Sequence, residues 1–171
     1  MSRHSPNFES EDDAIRAYIA SGRIAMHWGL VEQLLENIII LTRFHQDENP
    51  SKPFPHSFSK KIEEIKSRLN DKRISDEQEN EIRVAISKGK RLHSIRTVVV
   101  HGTCQGLRID GRIEFGMSHQ KKGIAYTPVY FTFEELEESA EDMLDSHQNL
   151  SAIFRALQNT LVGKHVPDPK R

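Results

Sequence analysis

The chain has 171 residues and a formal net charge of −1, with 24 basic side chains (Lys and Arg) against 25 acidic ones. This length suits a single domain, and the charge balance excludes a general positive field, so any contact with nucleic acid has to be local. The single cysteine excludes a disulfide framework and a thiolate metal site. Because the chain has no apolar signal core and no apolar run of about 18 residues, we expect a cytoplasmic protein without a membrane span.

The first third of the chain predicts a leader, a long helix and a loop. Residues 1–9 predict a flexible leader, and residues 10–163 predict one helical domain. Ser10 precedes three acidic residues, which is typical of a helix start. The prolines of residues 46–55 indicate a loop after this helix. Apolar residues at helical spacing predict the helix up to about Phe44: Ile15, Ile19, Trp28, Val31, Leu35, Ile38 and Leu41.

Two further helices follow the loop. The second is predicted by Phe58, Ile62, Ile65 and Leu69, which recur at steps of four, three and four residues. Ser75 and Gln78 have the spacing of a capping box, in which each side chain accepts a hydrogen bond from a free backbone amide. This box predicts the start of a third helix, which we expect to stop at Gly102. Its apolar positions are Ile82, Ile86, Leu92, Ile95 and Val99.

The apolar pattern changes after the third helix from a period of 3.6 to a period of two. Alternating residues on both sides of Asp110-Gly111 predict a tight hairpin. A third strand follows, and Pro128 indicates that it lies at an edge. The sequence therefore predicts a small antiparallel meander over about residues 105–131.

The last helix begins with the strongest local signal in the chain. Thr132 and Glu135 form a second capping box, and Phe131 with Leu136 has the spacing of a hydrophobic staple. We expect this helix to end at Gly163 and residues 164–171 to form a tail. The predicted fold class is mainly α, an up-and-down four-helix bundle with a small antiparallel β meander inserted before the last helix.

The candidate chemistry lies at the end of the third helix, in Arg96-Thr97-Val98-Val99-Val100-His101. Arginine is a permanent cation with a planar fork of donors that suits phosphate, and histidine transfers protons near neutral pH. At about 100° per residue, Arg96 and His101 sit about 140° apart on the helix. We therefore expect that one copy does not clamp a phosphate by itself, and that two copies facing each other across a dimer axis would.

The Arg96-x4-His101 motif, late in a helical bundle and just before a glycine, resembles the HEPN superfamily. The resemblance covers about residues 12–101 and 133–161 and rests on two fixed residues. It implies a composite site across a homodimer that supports metal-independent RNA cleavage or, in other members, adenylyl transfer or nucleotide binding. Carried over, Arg96 would stabilise the phosphorane oxygens and His101 would be the general base or acid. Family members often have Asn, Asp or His directly after the arginine, where this chain has Thr97.

Structural roles for the same residues stay open. Arg96 is alternatively an ion-pair partner of Glu32 on the first helix, and protonated His101 would interact favourably with the helix C-terminus. His93, Thr97 and Glu32 are the candidate supporting residues of the site. His93 is alternatively ordinary helix surface or interface.

Other side chains carry weaker signals. Lys90 and Arg91 before the motif, and Lys121 and Lys122 in the meander, are candidate contacts to a nucleic-acid backbone or simply a solvated face. The histidines have no metal-ligand spacing, so we predict no metal and no cofactor. Cys104 is most simply a small buried apolar residue.

The sequence therefore favours a HEPN-like, metal-independent endoribonuclease, of the toxin or defence kind by family analogy. The alternative is a non-catalytic dimeric helical module that binds nucleic acid or a protein partner such as an antitoxin, and a nucleotide-modifying enzyme is a third hypothesis. We expect a homodimer whose interface includes the third helix, because Ile95, Val98 and Val100 give that helix apolar residues on more than one side.

Overall fold

The computed structural model describes residues 6–46, 48–49, 52–69, 74–119 and 125–162. The predicted fold class is confirmed: four helices dominate, and a small three-stranded antiparallel sheet precedes the last of them. In chain order the elements are α1 (Glu11–His45), α2 (Phe58–Arg68), α3 (Asp76–His101), β1 (Thr103–Leu107), β2 (Ile113–His119), β3 (Ala125–Phe131) and α4 (Phe133–Val162).

Both predicted capping boxes are present. The amide of Gln78 donates to Ser75 Oγ at 3.2 Å, and the amide of Ser75 donates to Gln78 Oε1 at 3.2 Å. At the start of α4, the amide of Glu135 donates to Thr132 Oγ1 at 3.1 Å, and the amide of Thr132 donates to Glu135 Oε2 at 2.8 Å. Each box satisfies amides that the first helical turn leaves without a partner, and so fixes where its helix starts.

The described residues divide into two compact units. The sequence, by contrast, predicts one domain over residues 10–163. The first unit takes its residues from Met1–Gly29 and Lys90–Asp145, and the second from Leu30–Gly89 and Ser146–Arg171. The helices α1, α3 and α4 each contribute residues to both units. Buried apolar side chains of the first unit include Ile24, Trp28, Leu92, Ile113, Phe115, Leu136 and Met143, and those of the second include Ile38, Ile39, Ile62, Ile65, Ile82 and Leu157.

The sheet belongs to the first unit and has the strand order β1-β2-β3. Strand β3 is an edge strand, as Pro128 predicts, and Pro128 pairs with Gly116 of β2. The turn between β1 and β2 contains the predicted Asp110-Gly111 pair, and Gly111 has the positive φ of 77° that this turn needs. The alternating residues Ile113 and Phe115 of β2 are buried.

One part of the predicted leader makes specific contacts. The amide of Asn7 donates to the carbonyl of Gln105 at 3.0 Å, and the amide of Leu107 donates to the carbonyl of Asn7 at 2.7 Å. Between them, Gly106 has a φ of 112°, and a Cβ there would lie 2.1 Å from the Asn7 carbonyl oxygen. Only glycine therefore allows the N-terminal segment to approach β1 this closely.

Helix α1 is, among the described helices, the one long and apolar enough to cross a membrane by length and composition. The core helix of a soluble protein and a signal sequence pass the same test. In the first unit α1 buries Ile24 and Trp28, and its Arg16 forms ion pairs with Glu134 and Glu137 of α4 at 3.0 and 2.7 Å.

Candidate functional site

Arg96 and His101 contact each other directly at the end of α3. The distance from Arg96 Nη1 to His101 Nε2 is 2.8 Å, which is a hydrogen bond. Arg96 is half-buried and His101 is exposed. A single chain therefore brings the cation and the base together, although their positions on the helix are about 140° apart.

The long arginine side chain explains why the helical wheel misled. The wheel gives the directions of the Cα–Cβ bonds, whereas the guanidinium stands on a flexible stem that reaches around the helix. His101 is the last residue of α3, so no following turn shields its ring. The two side chains can therefore meet although their positions differ by about 140° on the wheel.

The hydrogen bond shows which ring nitrogen of the histidine faces the arginine. A guanidinium has donors only, so Nε2 of His101 is the acceptor in this contact and uses a lone pair. A lone pair on a ring nitrogen is what allows a histidine to take up a proton.

Gly102 fixes the end of the motif helix. Its amide donates to the carbonyl of Val98 at 2.8 Å, which closes the last turn. A Cβ at this position would lie 2.4 Å from the Val98 carbonyl oxygen and 3.2 Å from Met117 Sδ. A side chain does not fit, so glycine allows β1 to begin directly after His101.

The two supporting residues on α3 are near the pair in sequence but engaged elsewhere. Thr97 Oγ1 donates to the carbonyl of His93 at 2.8 Å, one turn back along its own helix. The His93 ring packs on buried Trp28, with 5.4 Å between the ring centroids. Thr97 is thus a helix residue with a satisfied hydroxyl, and His93 contributes to the packing of α3 on α1.

Glu32 and the basic candidates are placed differently. Glu32 belongs to the second unit, where its carboxylate lies 3.7 Å from Lys61 Nζ. Lys90 is exposed, and Arg91 forms an ion pair with Asp142 of α4. The candidate phosphate contacts Lys121 and Lys122 lie outside the described residues.

The outer face of the sheet carries a polar cluster that the sequence did not reveal. Glu114 of β2 is buried although it is charged; it accepts hydrogen bonds from the Tyr126 hydroxyl at 2.5 Å and from Arg108 Nη1 at 3.0 Å. The bond to Glu114 raises the pKa of Tyr126 to about 12, because the phenol must keep its proton to donate. The ring of Tyr126 covers Gly116, where a Cβ would lie 2.2 Å from the ring.

A second tyrosine extends this cluster. The guanidinium carbons of Arg112 and Arg108 lie 5.0 and 5.9 Å from the centroid of the Tyr130 ring, within the range of cation–π contacts. Arg112 also pairs with Asp110 at 2.6 Å. Two signals in the sequence could have identified this face. One is Gly116 in the middle of β2, and the other is the pair Tyr126 and Tyr130, four residues apart on β3.

Cys104 has no features of a nucleophile. Burial raises the pKa of its thiol, so the thiolate is disfavoured. Among the described residues, no group of three His, Cys, Asp or Glu side chains could hold a metal ion.

The second unit contains an open cavity of about 530 Å³ between α3 and α4. Its apolar lining includes Val84, Ala85 and Ile153. Ser146 also lines it, and within the described parts of the chain its buried Oγ has no hydrogen-bond partner.

No protein-family model, curated protein or solved structure matches this chain. What this chain does is therefore inferred from the geometry of its own residues.

Proposed function

We propose that the chain is a metal-independent endoribonuclease whose catalytic residues are Arg96 and His101. The observation that carries this proposal is the 2.8 Å contact between Arg96 Nη1 and His101 Nε2 at the end of α3. It joins a cation suited to phosphate with an imidazole, and the histidine is exposed to solvent. The resemblance of the Arg96-x4-His101 motif to the HEPN superfamily is the second support.

The proposed reaction needs these two side chains, the RNA and water. On substrate binding, Arg96 transfers its hydrogen bond from Nε2 to a non-bridging phosphate oxygen, which frees the lone pair of His101. That lone pair takes the proton of the ribose 2′-hydroxyl, the 2′-oxygen bonds to phosphorus, and the bond from phosphorus to the 5′-oxygen breaks. The departing oxygen takes a proton from water, and His101 later releases its own proton to solvent. The products are a 2′,3′-cyclic phosphate and a 5′-hydroxyl.

Each residue has a distinct role in this scheme. Arg96 stabilises the negative charge that accumulates on the phosphate oxygens, and fixed donors of this kind typically contribute about 10²–10³-fold in rate. Proton transfer by His101 contributes about 10²–10⁴-fold. DNA lacks the 2′-hydroxyl that acts as nucleophile, so it is not a substrate.

The decisive experiment compares RNA and DNA of one sequence, incubated with the full chain in EDTA. We expect RNA alone to be cut, with a cyclic phosphate at the new 3′ end. Arg96→Ala and His101→Ala should each lower the rate by at least about 100-fold. The matched controls are Arg83→Ala and His56→Ala, which remove exposed residues of the same types from the second unit.

Three results would contradict the proposal: cleavage that requires Mg²⁺, cleavage that survives both site substitutions, or no cleavage of any RNA. In the last case, RNA binding that Arg96→Ala weakens would favour the alternative function, a non-catalytic module that binds nucleic acid.

A further inference from the structure

The ring of Tyr126 lies over the backbone of β2 on the outer face of the sheet. A Cβ at Gly116 would lie 2.2 Å from Cε2 of this ring and 2.8 Å from its Cζ, so the ring fills the space that a side chain there would need. Tyr126 is nonetheless 50% exposed. Because one side of the ring lies against the strand, the exposed surface is its other side.

A buried carboxylate fixes the direction of this ring. The Tyr126 hydroxyl donates to Glu114 at 2.5 Å, and Glu114 is only 9% exposed. Burial of a carboxylate costs free energy unless hydrogen bonds compensate it, and here Arg108 supplies a further one at 3.0 Å. The ring that this network holds stays half in solvent. The network therefore orients the aromatic surface more than it buries it.

The second tyrosine of the same face is covered. The guanidinium carbons of Arg112 and Arg108 lie 5.0 and 5.9 Å from the centroid of the Tyr130 ring. Both arginines are paired with carboxylates, Arg112 with Asp110 and Arg108 with the buried glutamate. Within the described part of this face, Tyr126 thus presents the open aromatic ring, and the charges beside it are compensated.

The strand register places this ring beside the end of α3. Thr103 of β1 pairs with Gly116, the residue that the ring of Tyr126 covers. His101 comes two residues before Thr103, and both are exposed. Two residues of chain and one strand spacing keep the Cα atoms of His101 and Gly116 within about 12 Å of each other. The ring is therefore close enough to receive a base next to a phosphate held at His101.

We propose that Tyr126 stacks on an unpaired base of the RNA beside the cleaved bond, which makes single-stranded RNA the substrate class. This inference rests on the proposed function, because it extends the Arg96–His101 site. Every base has a flat aromatic face, so stacking accepts any base, and an oriented aromatic side chain is the usual partner of an unstacked one. Bases inside a duplex already stack on their neighbours, and they cannot reach the ring.

Binding of an uncleavable oligonucleotide tests the stacking separately from the reaction. The probe is a 2′-O-methyl RNA, whose blocked 2′-hydroxyl prevents the proposed cleavage, used as a single strand and as a duplex. We expect the full chain to bind the single strand more tightly. Tyr126→Ala should weaken that binding at least about fivefold. Tyr18→Ala is the matched control, because it removes an exposed tyrosine of α1.

The dependence on salt shows what kind of contact Tyr126 makes. A stacked ring releases no counterions, so Tyr126→Ala should lower the affinity without changing the slope of log affinity against log salt. A smaller slope in Tyr126→Ala would mean that this face binds phosphate rather than a base, and would contradict the proposal.

Two further variants separate the ring from its hydroxyl and from its position. Tyr126→Phe keeps the ring but loses the bond to Glu114, so its affinity should lie between those of the native chain and Tyr126→Ala. Gly116→Ala keeps the tyrosine but displaces the ring, and should bind as weakly as Tyr126→Ala. Circular dichroism checks that each variant is folded, and the Tyr126 series decides the outcome if Gly116→Ala is not.

Cleavage of unmodified RNA supplies the last readout. Stacking forms before the reaction and persists through it, so Tyr126→Ala should raise KM more than it lowers kcat.

Four results would overturn the inference: no binding of the single strand, equal binding of single strand and duplex, equal binding by the native chain and Tyr126→Ala, or Tyr126→Phe as weak as Tyr126→Ala. Failure of the proposed function looks different. Binding that depends on Tyr126, without cleavage of unmodified RNA, would leave the stacking in place and contradict the nuclease. Cleavage with an unchanged KM in Tyr126→Ala would do the reverse.

Discussion

Arg96 donates a hydrogen bond from Nη1 to Nε2 of His101 across 2.8 Å, within one chain. This contact joins the two groups that the proposed cleavage uses, one for charge stabilisation and one for proton acceptance. Arg96 has two roles in the proposed reaction: it donates to the imidazole, and it offers a fork of donors to phosphate. A substitution that keeps only the positive charge therefore does not replace it.

The first prediction concerns Arg96→Lys. Lysine keeps the positive charge but loses the planar fork, so we expect RNA cleavage to fall by about 10²-fold in kcat with a smaller change in KM. Single-turnover rates at saturating RNA measure this effect. If Arg96→Lys cleaves as fast as the native chain, the guanidinium geometry has no part in the reaction.

The second prediction concerns the segment between β2 and β3. We expect Lys121 and Lys122, which lie outside the described residues, to contact the RNA backbone. Replacing both with serine should reduce the slope of log affinity against log salt by about two, roughly one per lysine. Lys52→Ser with Lys60→Ser, both exposed in the second unit, is the matched control. An unchanged slope would mean that this segment does not touch RNA.

Much of the fold was predictable because its signals are local. The capping boxes at Ser75 and Thr132 depend on residues three positions apart, and the turn at Asp110-Gly111 depends on two adjacent residues. Local patterns of this kind are read directly from the sequence.

The parts that could not be predicted depend on distant residues or on side-chain reach. Asn7 forms a β-bridge with Gly106, about a hundred positions later in the chain, and no local sequence pattern predicts this bridge. The burial of Glu114 beneath Tyr126 depends on the register of β2 against β3, which the alternation alone does not set. Arg96 and His101 are predicted as a pair from the sequence, but a helical wheel describes backbone directions, so it could not show that Arg96 reaches His101.

The third prediction concerns pH and Tyr126. Its pKa is raised to about 12 by the bond to Glu114, against an ordinary value of 10.0. The protonated phenol is thus favoured in the folded state, so its contribution to stability is complete below pH 10 and is lost as the pH rises toward 12. Ultraviolet titration of the three tyrosines should show one with a high pKa, and Glu114→Gln should lower it. Loss of the high-pKa tyrosine in Tyr130→Phe, rather than in Tyr126→Phe, would contradict the assignment.

The fourth prediction concerns the buried ion pair of the second unit. The Arg43 guanidinium contacts both carboxylate oxygens of Glu64, at 2.7 and 3.0 Å, and also donates to the carbonyl of Lys52. Arg43→Met removes these charge-assisted hydrogen bonds, while Glu64 keeps its ion pair with Arg68 at 3.0 Å, so the free energy of unfolding should fall by about 1.5–3 kcal/mol. Arg83→Met removes an exposed ion pair and should cost less than about 1 kcal/mol.

The pH dependence of this pair has a definite sign. The bond to Arg43 lowers the pKa of Glu64 below its ordinary value of 4.5. The pair therefore stabilises the fold fully above pH 4.5, and the contribution is lost as the pH falls through the lowered pKa. Urea unfolding at neutral and acidic pH should show a smaller acid effect in Arg43→Met than in the native chain. An equal acid effect in both would mean that Glu64 does not report on this pair.

The fifth prediction concerns a stabilising substitution. Ser146 is buried, and within the described residues its hydroxyl has no hydrogen-bond partner. Burial of a polar group without a partner costs about 1–3 kcal/mol, so Ser146→Ala should raise the free energy of unfolding by about 1 kcal/mol after the loss of packing contacts. The control is Ser139→Ala on the same helix, because Ser139 Oγ donates to the carbonyl of Glu135 at 2.6 Å and its removal should not stabilise. Chemical denaturation of the two variants side by side measures the difference. Destabilisation by Ser146→Ala would mean that the hydroxyl is satisfied in solution, most simply by water in the adjoining cavity.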